Sequence, residues 1–315
     1  MRRVQHLSRH VFPDPVAAPV DLPSEAVGLA RRDRTRRDTI SRPKSQFSPA
    51  EWEARCKLAV AYRLAAHYGW DELVFNHITL KVPESDRLSD GPHFLINPFG
   101  LRFDEVTASS LLKVDLDGNV VDKGTNQGPL FKQGFVVHSA VHAARPDITC
   151  VWHCHHADTV AVLTSTVGFL PLTQEALSQW GEFSYHPFEG SAVDLDERQR
   201  MAQNLGPKKK VLLLENHGPL TAGGSVEEAF FRMYMITLSC SWQVKAMAAV
   251  GGDLSKLRVP SGEYLASLKR REEHIVTKAK DDVDKKNESY NEVEAMWHAA
   301  RRLMERHHGA SSIYC

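Results

Sequence analysis

Apolar positions first fall into a helical rhythm after Ser48. In "SPAE", Ser48 is placed to cap a helix, Pro49 falls in its first turn and Glu51 completes a capping box. The run "EWEARCKLAVAYRLAAHYGW" then gathers Trp52, Leu58, Val60, Tyr62 and Leu64 into one helix that Gly69 ends. Beyond it the period shortens. "FNHITLKVP" (75–83) and "HFLINP" (93–98) read as strands, and "LLKVDLDGNVVD" (111–122) as two strands turning at Asp117-Gly118. "GFVVHSAVHAARPD" (134–147) is helical as far as Pro146. "ITCVWHCHH" (148–156) and "KKKVLLLENHG" (208–218) carry the β-branched and apolar runs of buried strands. A second capping box, Ser225 to Glu228, opens a long helix through residue 250. Strands and helices mixed in this way predict one layered α/β domain over 47–250.

The flanks read differently. Residues 1–46 have five prolines, the basic run "RRDRTRR" and little apolar periodicity, which fits a flexible extension. Their start, "MRRVQHLSRHVF", is arginine-rich and lacks acids, so a mitochondrial presequence is the competing reading. From 251 to 315 the chain is charged and mostly helix-forming, with Val293, Met296, Trp297 and Leu303 as an apolar set that should dock. Lysine plus arginine equals aspartate plus glutamate, 39 each, so no net field draws the chain to nucleic acid. No apolar run approaches a membrane span. Five scattered cysteines without a Cys-x-x-Cys pair predict a reducing, cytoplasmic setting, or the mitochondrion if the extension is a presequence.

The chemistry concentrates in histidine. His153 and His155, two apart in "VWHCHH", leave the same face of a strand, with Cys154 pointing to the other. His217 ends the second buried strand. Three imidazoles at strand ends can hold a divalent metal and leave a position open, or they can be separate histidines bonded to backbone near a sheet edge. His138 and His142, four apart on a helix, fit polar core or interface contacts better than a metal pair, because Ser139 breaks the His-Glu-x-x-His pattern.

These segments, in order, resemble the class II aldolase/adducin family. The likeness runs over about residues 50–250 and rests on "HSAVHAARPDITCVWHCHHADTVAV" and "LLLENHGPLTAGGSVEEAF". "FNHITLKV", "LINPFGLRFDEVTASSL" and "VDLDGN" extend it into the first half, and the sequence sits nearer adducin heads than sugar-phosphate aldolases. The resemblance implies a three-layer α/β/α sandwich around a mixed, largely antiparallel sheet. It implies a homo-oligomer, usually a tetramer, and a divalent metal on His153, His155 and His217, zinc first, with manganese or iron as alternatives.

Several positions depart from the enzymes of that family. Where the aldolases carry a catalytic acid, 19 residues before the first metal histidine, this chain has Gly134. Lys132 and Gln133 replace phosphate-holding serines, and Phe99 stands where threonine is common. Asn76 and Gly100 match other substrate-binding positions. A standard sugar phosphate is therefore not expected. Aligning "LTQEAL" with the dehydratases of the family brings Glu175 onto their catalytic glutamate, with Glu182 as a weaker substitute. Two readings follow: a metal-dependent lyase-like enzyme acting on a small oxygenated substrate, or a non-catalytic, adducin-like oligomer binding actin or other cytoskeletal partners.

Overall fold

The computed structural model describes residues 47–85, 91–125, 128–190, 195–267 and 291–314. The N-terminal extension, and with it the presequence reading, lies outside the described residues. Helix α1 (Pro49–His67) starts where the pattern predicts: Ser48 accepts a hydrogen bond from the Glu51 amide at 3.1 Å. The reciprocal half of the capping box is missing. Glu51 is buried and bonds instead to Arg55 (2.9 Å) and Lys113 (3.1 Å), because a carboxylate removed from water takes charged partners in preference to a backbone amide.

Eight strands form one sheet: β1 (His77–Lys81), β2 (Phe94–Ile96), β3 (Leu112–Val114), β4 (Val120–Asp122), β5 (Cys150–His153), β6 (Phe183–His186), β7 (Val211–Leu214) and β8 (Gly218–Gly223). Their order is β4-β3-β2-β1-β5-β8-β7-β6, antiparallel except for the β6–β7 pair. Two of these strands carry no periodic signal. β8 begins Gly-Pro and ends in glycine, yet it is fully buried between β5 and β7. β6 is a short, half-buried strand at the sheet's edge.

Helices cover both faces. On one lie α1, α3 (Ala157–Thr164), α4 (Gln174–Ser178) and α6 (Val226–Ala249); on the other lie α2 (Lys132–Ala144) and α5 (Leu195–Leu205). Alternation along β5 divides the layers. Cys150 and Trp152 join the core under α1 and α6, while Val151 joins the core under α2 and α5. Helix α7 (Glu292–His308) and the short α8 (Ala310–Tyr314) complete the first core with Trp297, Ala300, Met304, Ile313 and Tyr314, and Met296 and Leu303 pack half-buried beside them. No helix among the described residues is long and apolar enough to cross a membrane.

Candidate metal centre

Pairing of β1 with β5 sets His77 opposite His153 on the α2 side of the sheet. His155 follows two residues past His153, beyond the end of the strand. His217 arrives from the three-residue turn between β7 and β8, where Asn216 takes a left-handed conformation (φ 56°) that asparagine tolerates better than most side chains. Gly218 follows because a side chain there would meet the Cys154 carbonyl oxygen at 2.3 Å. These turns bring ligand nitrogens of His153, His155 and His217 within 4.8 Å of one another. The ring centroids are 4.7 to 4.9 Å apart.

Their hydrogen bonds define which nitrogens are free. His153 Nδ1 lies 3.0 Å from the Pro219 carbonyl oxygen and His155 Nδ1 lies 2.5 Å from Glu72 Oε2. Both oxygens accept, so both Nδ1 atoms donate, and His153, kept neutral by burial, has a bare Nε2. The two Nε2 atoms face each other at 3.1 Å. Burial, then the nearby His217 and His155, holds His153 well below the usual imidazole value. Burial followed by His155 lowers His217 to about 4. Two imidazole nitrogens this close need a positive centre between them, a shared proton or a cation. The donor set fits a divalent metal, with each fixed Nδ1 supplying the second contact that orients a ligand histidine.

A cavity of about 550 Å³ opens over the trio. Its wall includes Glu72, Phe75, His77, Phe131, Gln133 and Phe188. Of the residues expected to hold substrate, Gln133 lines this space. Lys132 is exposed at the start of α2 and Gly100 is exposed on its loop; neither is among the lining residues. The Asn76 side chain is buried and donates to the Trp70 carbonyl at 2.9 Å. Glu175 sits on α4, half-buried, and is not among the residues lining the cavity either. Cys154 turns to the opposite face and packs on Met233 of α6, 3.4 Å between sulfurs, with its thiol pushed up to about 12 by burial. Glu72 is the contact that sequence reasoning missed. It is an exposed acid in a loop, and nothing in its spacing marks it.

Comparison with known proteins turns this geometry into a family assignment. Residues 56–244 match the model of the class II aldolase and adducin N-terminal domain. This chain belongs to that family. Rat (Rattus norvegicus) alpha-adducin is 46% identical over 220 residues, which is 70% of this chain but 29% of that protein, so the chain spans under a third of that relative's length. A protein of Caulobacter vibrioides named provisionally as an aldolase class 2 protein is 45% identical over 210 residues, 67% of this chain and 78% of its own. A solved aldolase II superfamily protein from Pseudomonas syringae shares the fold with a TM-score of 0.72 at 40% identity, covering 84% of this chain and 97% of its own. The three-layer arrangement around a largely antiparallel sheet is that of the class II aldolases.

Proposed function

We propose that this protein is a divalent-metal-dependent, lyase-like enzyme acting on a small oxygenated substrate without a phosphate. The observation that carries the reading is the facing pair of Nε2 atoms on His153 and His155, with His217 beside them in an open cavity. Those three residues would hold the ion, with zinc favoured by the all-imidazole donor set and manganese or iron as alternatives. Bound there, such an ion supplies Lewis acidity that polarises a carbonyl and stabilises charge developing on its oxygen.

The remaining roles belong to the chain itself. Glu72 fixes the ring of His155, and the Pro219 carbonyl fixes that of His153. Phe75, Phe131, Phe188 and Val137 give the cavity an apolar wall, and neither lysine nor arginine is among its lining residues in the described part of the chain. A phosphate needs cations or a cluster of donors; this wall suits an apolar or aryl substituent. Aldol cleavage by the usual acid is not supported, because Gly134 has no proton to give.

The test is elemental mass spectrometry on tag-free protein beside His217→Ala. We expect about one divalent ion per chain, lost in the variant. Well-folded protein that holds no metal and takes up none when offered would refute the enzymatic reading. That result would favour the second one, an adducin-like oligomer binding cytoskeletal partners, for which the identity to alpha-adducin and the exposed Leu73, Phe75 and Phe188 speak.

A further inference from the structure

Directly beside the three histidines, four buried side chains form a second, closed arrangement. His77 Nδ1 lies 2.8 Å from His138 Nε2, and His138 Nδ1 lies 2.8 Å from Thr79 Oγ1. Thr79 Oγ1 in turn lies 2.8 Å from His142 Nε2, and His142 Nδ1 is 3.3 Å from the Ile148 carbonyl oxygen. The elements make this possible: His77 and Thr79 alternate onto one face of β1, while His138 and His142 sit one turn apart on the α2 face packed against it.

The far end of this chain sets its direction. A carbonyl oxygen only accepts, so His142 carries its proton on Nδ1 and its Nε2 must accept. Thr79 has one hydroxyl proton, which therefore goes to His142, leaving Oγ1 to accept from His138 Nδ1. His138 Nε2 is then bare and accepts from His77 Nδ1. Each member keeps one partner per nitrogen, and one atom remains with a lone pair and no donor: His77 Nε2.

That atom faces the candidate site. His77 and Gly134 both line the cavity. The ring edge carrying Nε2 lies against Gly134 so closely that an added Cβ would stand 2.3 Å from Nε2 and 2.2 Å from Cδ2. Glycine at 134 is what leaves room for this imidazole. His77 is only 4% exposed and so cannot swing out, and its ring stands 5.4 Å from that of His153.

We propose that His77 is a substrate-binding residue whose unprotonated Nε2 accepts a hydrogen bond from a substrate hydroxyl, with Thr79, His138 and His142 as the positioning residues that fix its tautomer. The substrate half of this inference rests on the metal reading above; the tautomer half does not.

Two measurements separate them. Long-range proton–nitrogen spectra of the metal-free, full-length protein labelled with nitrogen-15 histidine, assigned by the loss of signals in His77→Phe, should show His77 protonated at Nδ1 and bare at Nε2 at neutral pH. Thr79→Val should mix the two tautomers. A proton on Nε2 in the unmodified protein overturns the inference outright. Next, zinc-loaded protein is titrated with glycolohydroxamate, which carries a hydroxyl beside its chelating group, and with acetohydroxamate, which lacks it. The first should bind on the order of tenfold more tightly, and His77→Phe should erase that advantage while zinc content stays unchanged. An advantage that is absent, or that survives in His77→Phe, overturns the substrate role, as does loss of zinc in that variant. Failure of the unmodified protein to bind zinc overturns the functional reading and the substrate role together, and leaves the tautomer result standing.

Discussion

Two groups of histidines occupy one side of the same sheet, a few ångströms apart, and are hydrogen-bonded in opposite ways. In the open group, His153 and His155 turn their Nε2 atoms toward each other, and His217 completes a trio at the mouth of a cavity. In the closed group, His77, His138 and His142 run nitrogen to nitrogen through Thr79, and hydrogen bonds satisfy every ring nitrogen except one. The residue type does not decide between binding and structure. The partner of the second nitrogen does. A histidine whose other side is fixed by a carbonyl or carboxylate presents a ligand, and one fixed on both sides is part of the core.

Acid should strike the closed group hardest. Burial lowers His77 and His142 to about 3 and His138 well below the usual value. In the unfolded chain these imidazoles titrate near 6.5. Below that pH the unfolded state binds protons that the folded state refuses, so stability is complete above about 6.5 and is lost as pH falls toward 3. Each group contributes a slope of at most about 1.4 kcal/mol per pH unit, roughly 4 for the three. We expect cooperative unfolding between about pH 4 and 5, followed by circular dichroism, and zinc should delay it without abolishing it. A protein fully folded at pH 3.5 would mean that the closed group is not held neutral.

Deleting one member of each group sharpens the contrast. His138→Ala leaves His77 and Thr79 without their buried partner and opens a cavity, so it should cost about 3 kcal/mol in urea denaturation of metal-free protein. His155→Ala in the same metal-free state should change stability by less than about 1 kcal/mol, because its ring is partly exposed and its Glu72 partner is exposed. Equal costs at the two sites would erase the distinction drawn between them.

The open group was legible in the sequence and the closed one was not. The two-residue spacing puts His153 and His155 on one strand face and His217 lies between a buried run and a glycine, but spacing alone leaves separate histidines open, and the family resemblance is what groups the three. His138 and His142 show helical spacing, but their partners His77 and Thr79 lie about 60 residues away in "FNHITLKV", and only the β1–α2 packing joins them. β8 was hidden for a related reason. "GPLTAG" has the composition of a turn, and becomes a strand because β5 and β7 supply hydrogen bonds on both sides. Its Pro219 carbonyl then orients His153, so part of the candidate site rests on the element least visible in advance. Asp122 is similar: it reads as the end of a hairpin, and its contact with the buried Arg55 depends on the fold.

The finest comparison is between two glutamates. Glu175 has the alignment in its favour, and Glu72 has the geometry: its carboxylate holds His155 Nδ1 and lines the cavity, whereas Glu175 on α4 is not among the lining residues. Glu72→Gln keeps the size of the side chain but removes its charge, and its amide can present either an oxygen or a donor to Nδ1. The ligand histidine is then less basic and less firmly oriented, and zinc affinity should fall by roughly 10- to 100-fold. Glu175→Gln should leave zinc affinity within about twofold, since an exchange away from the ligands changes neither their charge nor their orientation. Competition with a chromogenic chelator reads both variants on the same scale. If Glu175→Gln weakens zinc as much as Glu72→Gln, then α4 approaches the histidines in the working assembly in a way that one chain does not display, and a neighbouring copy must bring it there.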